Sequence, residues 1–468
     1  MGDVLTGNTR FLLFSIALVV GVVGYLSVDH VARLRGAATS RVAAKPRPAP
    51  APAPVPTPAP PSATDGAAEV KKEYDACVLK LFPTREDAEA RNAACSRALQ
   101  TRKLTPDQIA MARLTRGIAR TALGDKVLAS EDYAASVQQY NQLINPANPD
   151  ALSVYRRAVA LAAAGQTDQA LEEYGNALKL DPKASLAYLD RGVLLAARKR
   201  AYDRAIDDFN RVLSLEPDNV DALVARGDAY SQLKEFGRAM TDLNRAVTLA
   251  PAGSPIALIA RGQAESRMGN QADAQRDYEA ALAMNPHSAS ALVNLAAVTA
   301  LRGDAAGSIP LLDRAIAIDK DDPLAFYNRG YAHFVLKQYD QALADYSTAI
   351  DLDRTMGLAY NNRALTRVIL NRDLKGALDD ADEALKLMPI NLDVRETRGF
   401  IFLKLNEPAQ ALVNYEAALS LDPNRPLALY GRGLARLRLG DAGGKGDEEA
   451  AMSIDPEVAG EFTRYGVE

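Results

Sequence analysis

The sequence predicts an all-α fold: a right-handed α-solenoid of tandem helix-turn-helix units, with one N-terminal transmembrane helix. Three observations lead there: a repeat of 34 or 35 residues, a proline that closes nearly every repeat, and an uncharged apolar run near the start. The 468 residues include two cysteines and no tryptophan, and the formal net charge is -4. This charge gives no basic footprint for nucleic acid, so we exclude that class of partner.

An arginine followed by glycine or alanine marks each repeat. These arginines are Arg157, Arg191, Arg226, Arg261, Arg329, Arg363, Arg398 and Arg432. Leu295 fills the one vacant place. An alanine, a large side chain and a second small residue follow at spacings that lie on one helical face. The closing proline would not be tolerated inside a helix, so a helix must end before it. We therefore predict two helices in each unit.

This pattern resembles the tetratricopeptide repeat family over residues 107–459, with regular units at about 151–425 and a degenerate last unit at 426–459. The resemblance implies close helix crossings at the small residues and a concave groove, lined by first helices, that binds extended peptides or helices. We therefore expect a non-catalytic scaffold for a protein or peptide partner. We expect no cofactor, and the histidines have no partners at metal-ligand spacing.

An acid stands just before the large residue of the second helix in six units. These acids are Glu173, Asp208, Asp242, Asp277, Asp345 and Asp380. In the unit where Leu295 replaces the arginine, Leu311 replaces the acid. This joint loss predicts an arginine–carboxylate pair inside each unit. Asn414, opposite Arg398, is the imperfect case.

Asparagines recur two positions before the small residue in three successive units, where their amides could bond the main chain of an extended peptide. Nearby aromatic residues would add apolar anchors. We therefore predict a peptide-binding groove from seven residues: Asn294, Tyr327, Asn328, Tyr331, Phe334, Asn361 and Asn362. The alternative is that asparagine is simply tolerated on an exposed groove.

The remaining segments are assigned by composition. They are a short tail at 1–10, a transmembrane helix at 11–28, a Pro/Ala-rich linker at 29–67, a degenerate helical hairpin at 68–106 and a C-terminal tail at 460–468. The run 11–28 carries no charge and would be about 27 Å long as a helix, close to a hydrocarbon core. No cleavage pattern follows closely, so we expect a retained anchor. Alternating Pro-Ala predicts an extended spacer.

Two arguments about the side of the membrane disagree. One basic residue precedes the apolar run and five follow it, which favours a cytoplasmic repeat domain. Against this, antiparallel helices around a turn at Pro83 would bring Cys77 and Cys95 within reach of a disulfide, which implies an oxidising compartment. The region also looks like the opening of exported bacterial members of the family. We expect a single-pass inner-membrane protein with a periplasmic repeat domain; two buried thiols are the alternative.

Two further features have more than one interpretation. The cluster Gly443–Gly446 lacks the spacing and the preceding strand of a phosphate loop, so we expect a loosened last unit there. The groove would also suit a regulatory or assembly subunit of a cell-envelope enzyme or polymer-export complex. Both functions need the same surface.

Overall fold

The computed structural model describes residues 63–78, 85–250, 254–464 and 466–467. These residues form 23 α-helices and no strand. The predicted transmembrane helix and the Pro-rich run lie outside the described residues, as do the residues joining the first two helices. Within the described ranges, no helix combines the length and apolar character needed to cross a membrane.

The helices belong to two compact units, divided in the sequence after Met268. The amino-terminal unit contains α1 Ala63–Val78, α2 Arg85–Gln100, α3 Pro106–Ala122, α4 Lys126–Leu143, α5 Ala151–Ala163, α6 Thr167–Leu180, α7 Ser185–Lys199, α8 Tyr202–Leu215, α9 Val220–Gln232, α10 Phe236–Leu249 and α11 Ile256–Arg267. The carboxy-terminal unit contains α12 Gln271–Met284, α13 Ala289–Leu301, α14 Ala305–Ile318, α15 Pro323–Val335, α16 Tyr339–Leu352, α17 Gly357–Ile369, α18 Leu374–Leu387, α19 Leu392–Lys404, α20 Pro408–Leu419, α21 Pro426–Arg438, α22 Gly444–Ile454 and α23 Val458–Arg464.

The small residue of each repeat lies where two helices of a pair cross. A Cβ added to Gly192 would be 2.6 Å from the ring of Phe209, and one added to Gly330 would be 2.9 Å from the ring of Tyr346. Both rings are fully buried. The predicted packing of a large residue against a small one is therefore confirmed in these pairs.

The hairpin α1–α2 is closed by a disulfide. Cys77 and Cys95 are bonded, with their Cα atoms 4.5 Å apart, and both are fully buried. Arg91 donates a hydrogen bond of 3.0 Å to the carbonyl of Cys77, and burial lowers the pKa of this guanidinium. The predicted pairing of the two cysteines is confirmed.

The last helix pair corrects the expectation of a loosened unit. A Cβ on Gly444 would lie 2.4 Å from the carbonyl oxygen of Gly433, so the glycines allow α21 and α22 to cross unusually closely. Arg432 also makes a two-bond pair with Asp447, at 2.8 and 2.6 Å. Close helix packing therefore explains Gly444, whereas a Cβ on Gly446 would meet no atom within 4 Å.

Candidate interaction surface

The predicted arginine–carboxylate pairs position the second helix of a pair against the first. Arg329 donates to Asp345 through Nε at 2.9 Å and Nη2 at 2.7 Å, and this hydrogen bonding raises the pKa of the guanidinium. The same two-bond geometry occurs in three more of the predicted pairs: Arg191–Asp208, Arg226–Asp242 and Arg363–Asp380. Arg157 bonds Glu173. In these five pairs the prediction is confirmed.

In several of these arginines, the guanidinium nitrogen that does not bond the carboxylate of its own pair bonds the second helix of the preceding pair. The sequence did not predict this contact. Nη1 of Arg329 donates to Asp313 at 2.7 Å, and Nη1 of Arg226 donates to Asn210 at 2.7 Å. Arg398 shows the same link in another form, because Nε bonds Asp382 of the preceding pair at 2.6 Å, while Nη1 bonds Asn414 at 3.2 Å. Such an arginine therefore fastens neighbouring pairs as well as its own.

The row of arginine–carboxylate pairs also starts one helix pair earlier than predicted. Arg116 donates to Asp132 at 2.8 and 2.6 Å, and Gly117 follows it at the helix crossing. This arginine lies 41 residues before Arg157, because α4 and the connector 144–150 are both long. The dipeptide Arg116-Gly117 could have indicated this pair in the sequence, but it falls outside the regular period of 34 or 35 residues.

The predicted groove residues are buried, so the expectation of an exposed asparagine ladder is wrong. Each of the seven is no more than 5% exposed: Asn294, Tyr327, Asn328, Tyr331, Phe334, Asn361 and Asn362. Asn294 donates to the Ser290 carbonyl of its own helix at 2.8 Å. Asn362 donates to the Tyr327 hydroxyl at 3.2 Å, and burial raises the pKa of that hydroxyl.

The physical reason is contact between neighbouring first helices. Tyr327 and Asn362 lie 35 residues apart on α15 and α17, and Tyr155 donates to Asp190 at the same separation between α5 and α7, over 2.9 Å. These positions therefore pack against the next first helix rather than facing solvent. The structure brings Tyr327 together with Asn362, but it does not bring the asparagines into one exposed row.

A polar cluster on the first helices of the amino-terminal unit escaped the sequence interpretation. Arg267 on α11 donates to Asp228 and Ser231 on α9, at 3.0 and 3.1 Å. Gln263, one turn earlier, is fully buried, and both its amide atoms lack a hydrogen-bond partner within the described part of the chain, as does Nη2 of Arg267. The cluster therefore retains unused hydrogen-bond donors and an acceptor beneath the surface of the first helices.

A buried ionic cluster in the carboxy-terminal unit joins the first half of α19 to the residue that precedes α21. Arg425 donates to Glu396 at 2.9 and 3.0 Å and to Asp393 at 2.5 Å. Burial raises the pKa of Glu396 to about 7, although Arg425 acts in the opposite direction. Sequence reasoning missed this cluster because Arg425 lies in a connector, outside the periodic positions.

Family models match most of the repeat region. Models described as "Tetratricopeptide repeat" match residues 155–201, 196–254, 259–323 and 323–356, and one described as "TPR repeat" matches 399–440. Dynein axonemal assembly factor 4 from Pongo pygmaeus, Pan paniscus and Pan troglodytes is 30% identical over 117 residues, which is 23% of this chain. The match spans only 28% of those relatives.

Two solved structures illustrate the structural comparison. A tetratricopeptide repeat protein from Parabacteroides merdae aligns with 55% of this chain and 99% of its own, at 19% identity and TM-score 0.44. The APC/C hetero-tetramer Cut9-Hcn1 aligns with 86% of this chain and 94% of its own, at 16% identity and TM-score 0.49. With its repeated helix pairs and the family models that match them, the chain belongs to the tetratricopeptide repeat family.

Proposed function

We propose that this protein is a non-catalytic, membrane-tethered scaffold that binds protein or peptide partners on the face built by its first helices. The repeated helix pairs that the tetratricopeptide family models match carry the proposal. In each of the two units, first helices also hold buried side-chain atoms that find no hydrogen-bond partner within the described residues. These groups are on Gln263, Arg267, Asn328 and Asn361. An unpaired buried polar group costs about 1–3 kcal/mol, so a ligand whose binding parts neighbouring helices and supplies the missing bonds is favoured.

The proposed location is the inner membrane, with the repeat domain in the periplasm. The uncharged run 11–28 supports the tether, and the disulfide between Cys77 and Cys95 supports an oxidising compartment. Protein isolated from its native host with a thiol-blocking reagent should show no free thiol at either cysteine. Modification of both by the reagent would contradict the periplasmic location and favour the cytoplasmic side.

Partner binding is tested by cross-linking in intact cells, followed by affinity purification from solubilised membranes. The wild type is compared with the full-length variant Gln263→Ala with Arg267→Ala, which removes the unpaired groups of the amino-terminal unit. We expect the wild type to retain a specific protein that this variant loses at unchanged helicity. Turnover of a small substrate without any recovered protein would contradict the scaffold. A recovered envelope enzyme whose activity depends on this chain would instead identify a regulatory or assembly subunit.

A further inference from the structure

The segment after α22 folds back as an ordered element rather than a free tail. Its helix α23 ends in a two-bond turn: the amide of Gly466 donates to the carbonyl of Thr463 at 2.9 Å, and the amide of Val467 donates to that of Phe462 at 3.0 Å. Gly466 takes a left-handed conformation with φ of 72°. This is the Schellman arrangement, which brings an apolar residue after the glycine toward one in the last turn. Val467 and Phe462 are both buried.

Phe462 anchors the segment in an aromatic cluster. Its ring lies 5.4 Å from that of Phe400 in an edge-to-face arrangement, and 5.0 Å from that of Tyr430. Only 1% of Phe462 is exposed, and Val458, one turn earlier, is equally buried. The segment therefore presents one apolar stripe to the helices beneath it.

The helices beneath are first helices of two different pairs. Phe400 lies on α19 and Tyr430 on α21, so Phe462 contacts a first helix two pairs before its own position. The segment packs on both helices of the last pair, α21 and α22, as a helix that continued the stack would. In addition, Phe462 reaches Phe400 on α19, so the segment extends along the first helices beyond the last pair.

The far end of the segment extends over the same face. A Cβ on Gly466 would lie 3.2 Å from Nζ of Lys404, at the end of α19. The positive charge of Arg464 acts on the hydroxyl of Tyr339, at the start of α16, whose pKa is raised mainly by burial. The segment thus lies on α19 and α21, which are first helices of the carboxy-terminal unit.

We propose that residues 455–467 are an intramolecular ligand of the first-helix face, and that a partner must displace them. This inference rests on the proposed function and names the kind of partner. That partner would present a short helical segment with an aromatic residue in the place of Phe462. Apolar residues would lie four positions before and five positions after this aromatic residue. A tethered segment competes at an effective concentration on the order of millimolar, so the wild-type chain is self-occupied.

The test measures binding of a fluorescent synthetic peptide of residues 455–467 to the full-length chain. Three proteins are compared: wild type, Phe462→Ala, whose own segment loses its anchor, and Thr463→Ala, a control at an exposed position of the same helix. We expect the Phe462→Ala chain to bind the peptide at least about tenfold more tightly than the other two, since the face has been vacated. A peptide carrying Phe462→Ala should not bind any of them.

Circular dichroism and melting temperature check that each chain is folded. Val467→Asp is a second variant, which releases only the end of the segment and should also raise peptide affinity above that of the wild type. A lowered melting temperature without peptide binding in either variant would make the segment a structural cap and overturn the proposal. Equal peptide binding to all chains would overturn it as well. Since the assay needs no external partner, its failure leaves the scaffold proposal standing.

Discussion

Two neighbouring helix pairs of the carboxy-terminal unit are fastened by different forces. In α15–α16, Arg329 joins Asp345 of its own pair and Asp313 of the preceding pair. In α13–α14, Leu295 and Leu311 occupy the corresponding positions, and eight successive residues of α13, Ala291–Val298, are buried. An ion pair and two leucines at the corresponding positions can thus serve the same architecture.

Breaking the ion pair should give the largest effect. Asp345→Ala leaves Arg329 with only its link to Asp313, and we expect a loss of about 3 kcal/mol in unfolding free energy. The double variant Arg329→Leu with Asp345→Leu imitates the neighbouring pair and should recover much of that loss. Denaturant unfolding of Arg329→Leu, Asp345→Leu and the double variant measures the coupling. Additive effects would show that the two side chains do not stabilise each other.

The ionic cluster around Glu396 tests the cost of a more deeply buried charge. Its folded-state pKa, about 7, lies above the usual value of 4.5. The folded state therefore binds more protons between these values, and stability falls as pH rises through this window. We expect the wild type to lose about 2 kcal/mol between pH 5 and 7 relative to Glu396→Gln. Parallel pH profiles of unfolding free energy would contradict the raised pKa.

The hydrogen bond between the first helices α15 and α17 allows a test with a smaller expected effect on stability. Asn362→Ala removes the hydrogen bond to the Tyr327 hydroxyl and leaves that hydroxyl buried, so a loss of about 1 kcal/mol is expected. Tyr327→Phe added to Asn362→Ala should cost little more, because the buried hydroxyl that Asn362 bonded is then removed as well. The control is Asn424→Ala, at an exposed position between α20 and α21. Melting that is unchanged in Asn362→Ala would restore the expectation of an exposed asparagine ladder.

The helix pair α13–α14 contains a residue expected to destabilise it, Pro310, which lies inside α14. A proline there removes a helical hydrogen bond and crowds the preceding turn. Pro310→Ala should therefore stabilise the protein, by about 0.5–1 kcal/mol after allowing for the greater freedom of the unfolded chain. Pro408→Ala, in the first turn of α20, is the matched control and should not stabilise. Destabilisation by Pro310→Ala would mean that the ring packs better than the bond it displaces.

The sequence predicted features whose partners recur at a fixed spacing. Gly330 and Tyr346, or Arg329 and Asp345, repeat together along the chain, so each contact can be read by comparing units. The joint replacement by Leu295 and Leu311 carried the same information. Helix pairs and their internal contacts were therefore accessible without coordinates.

The candidate surface was less accessible, because its contacts depend on how units pack onto each other. The burial of Asn362 follows from Tyr327 on the neighbouring first helix, a contact that helical periodicity within one unit does not show. Residues 460–468 were expected to be a tail, since Val458 and Phe462 are too few to establish a helical period. Gly466 was the one readable signal of an ordered helix end.

The arginines of the arginine–carboxylate pairs bond residues at fixed sequence separations, and this limits how the chain can change in length. Arg157, Arg226 and Arg329 each bond residues 16 positions before and 16 positions after themselves. Inserting one or two residues between an arginine and either partner rotates that partner away on its helix, since each residue turns an α-helix by about 100°. Adding or removing a whole unit keeps every spacing. Length variation among related chains should therefore occur in steps of complete repeats or within the connectors between pairs.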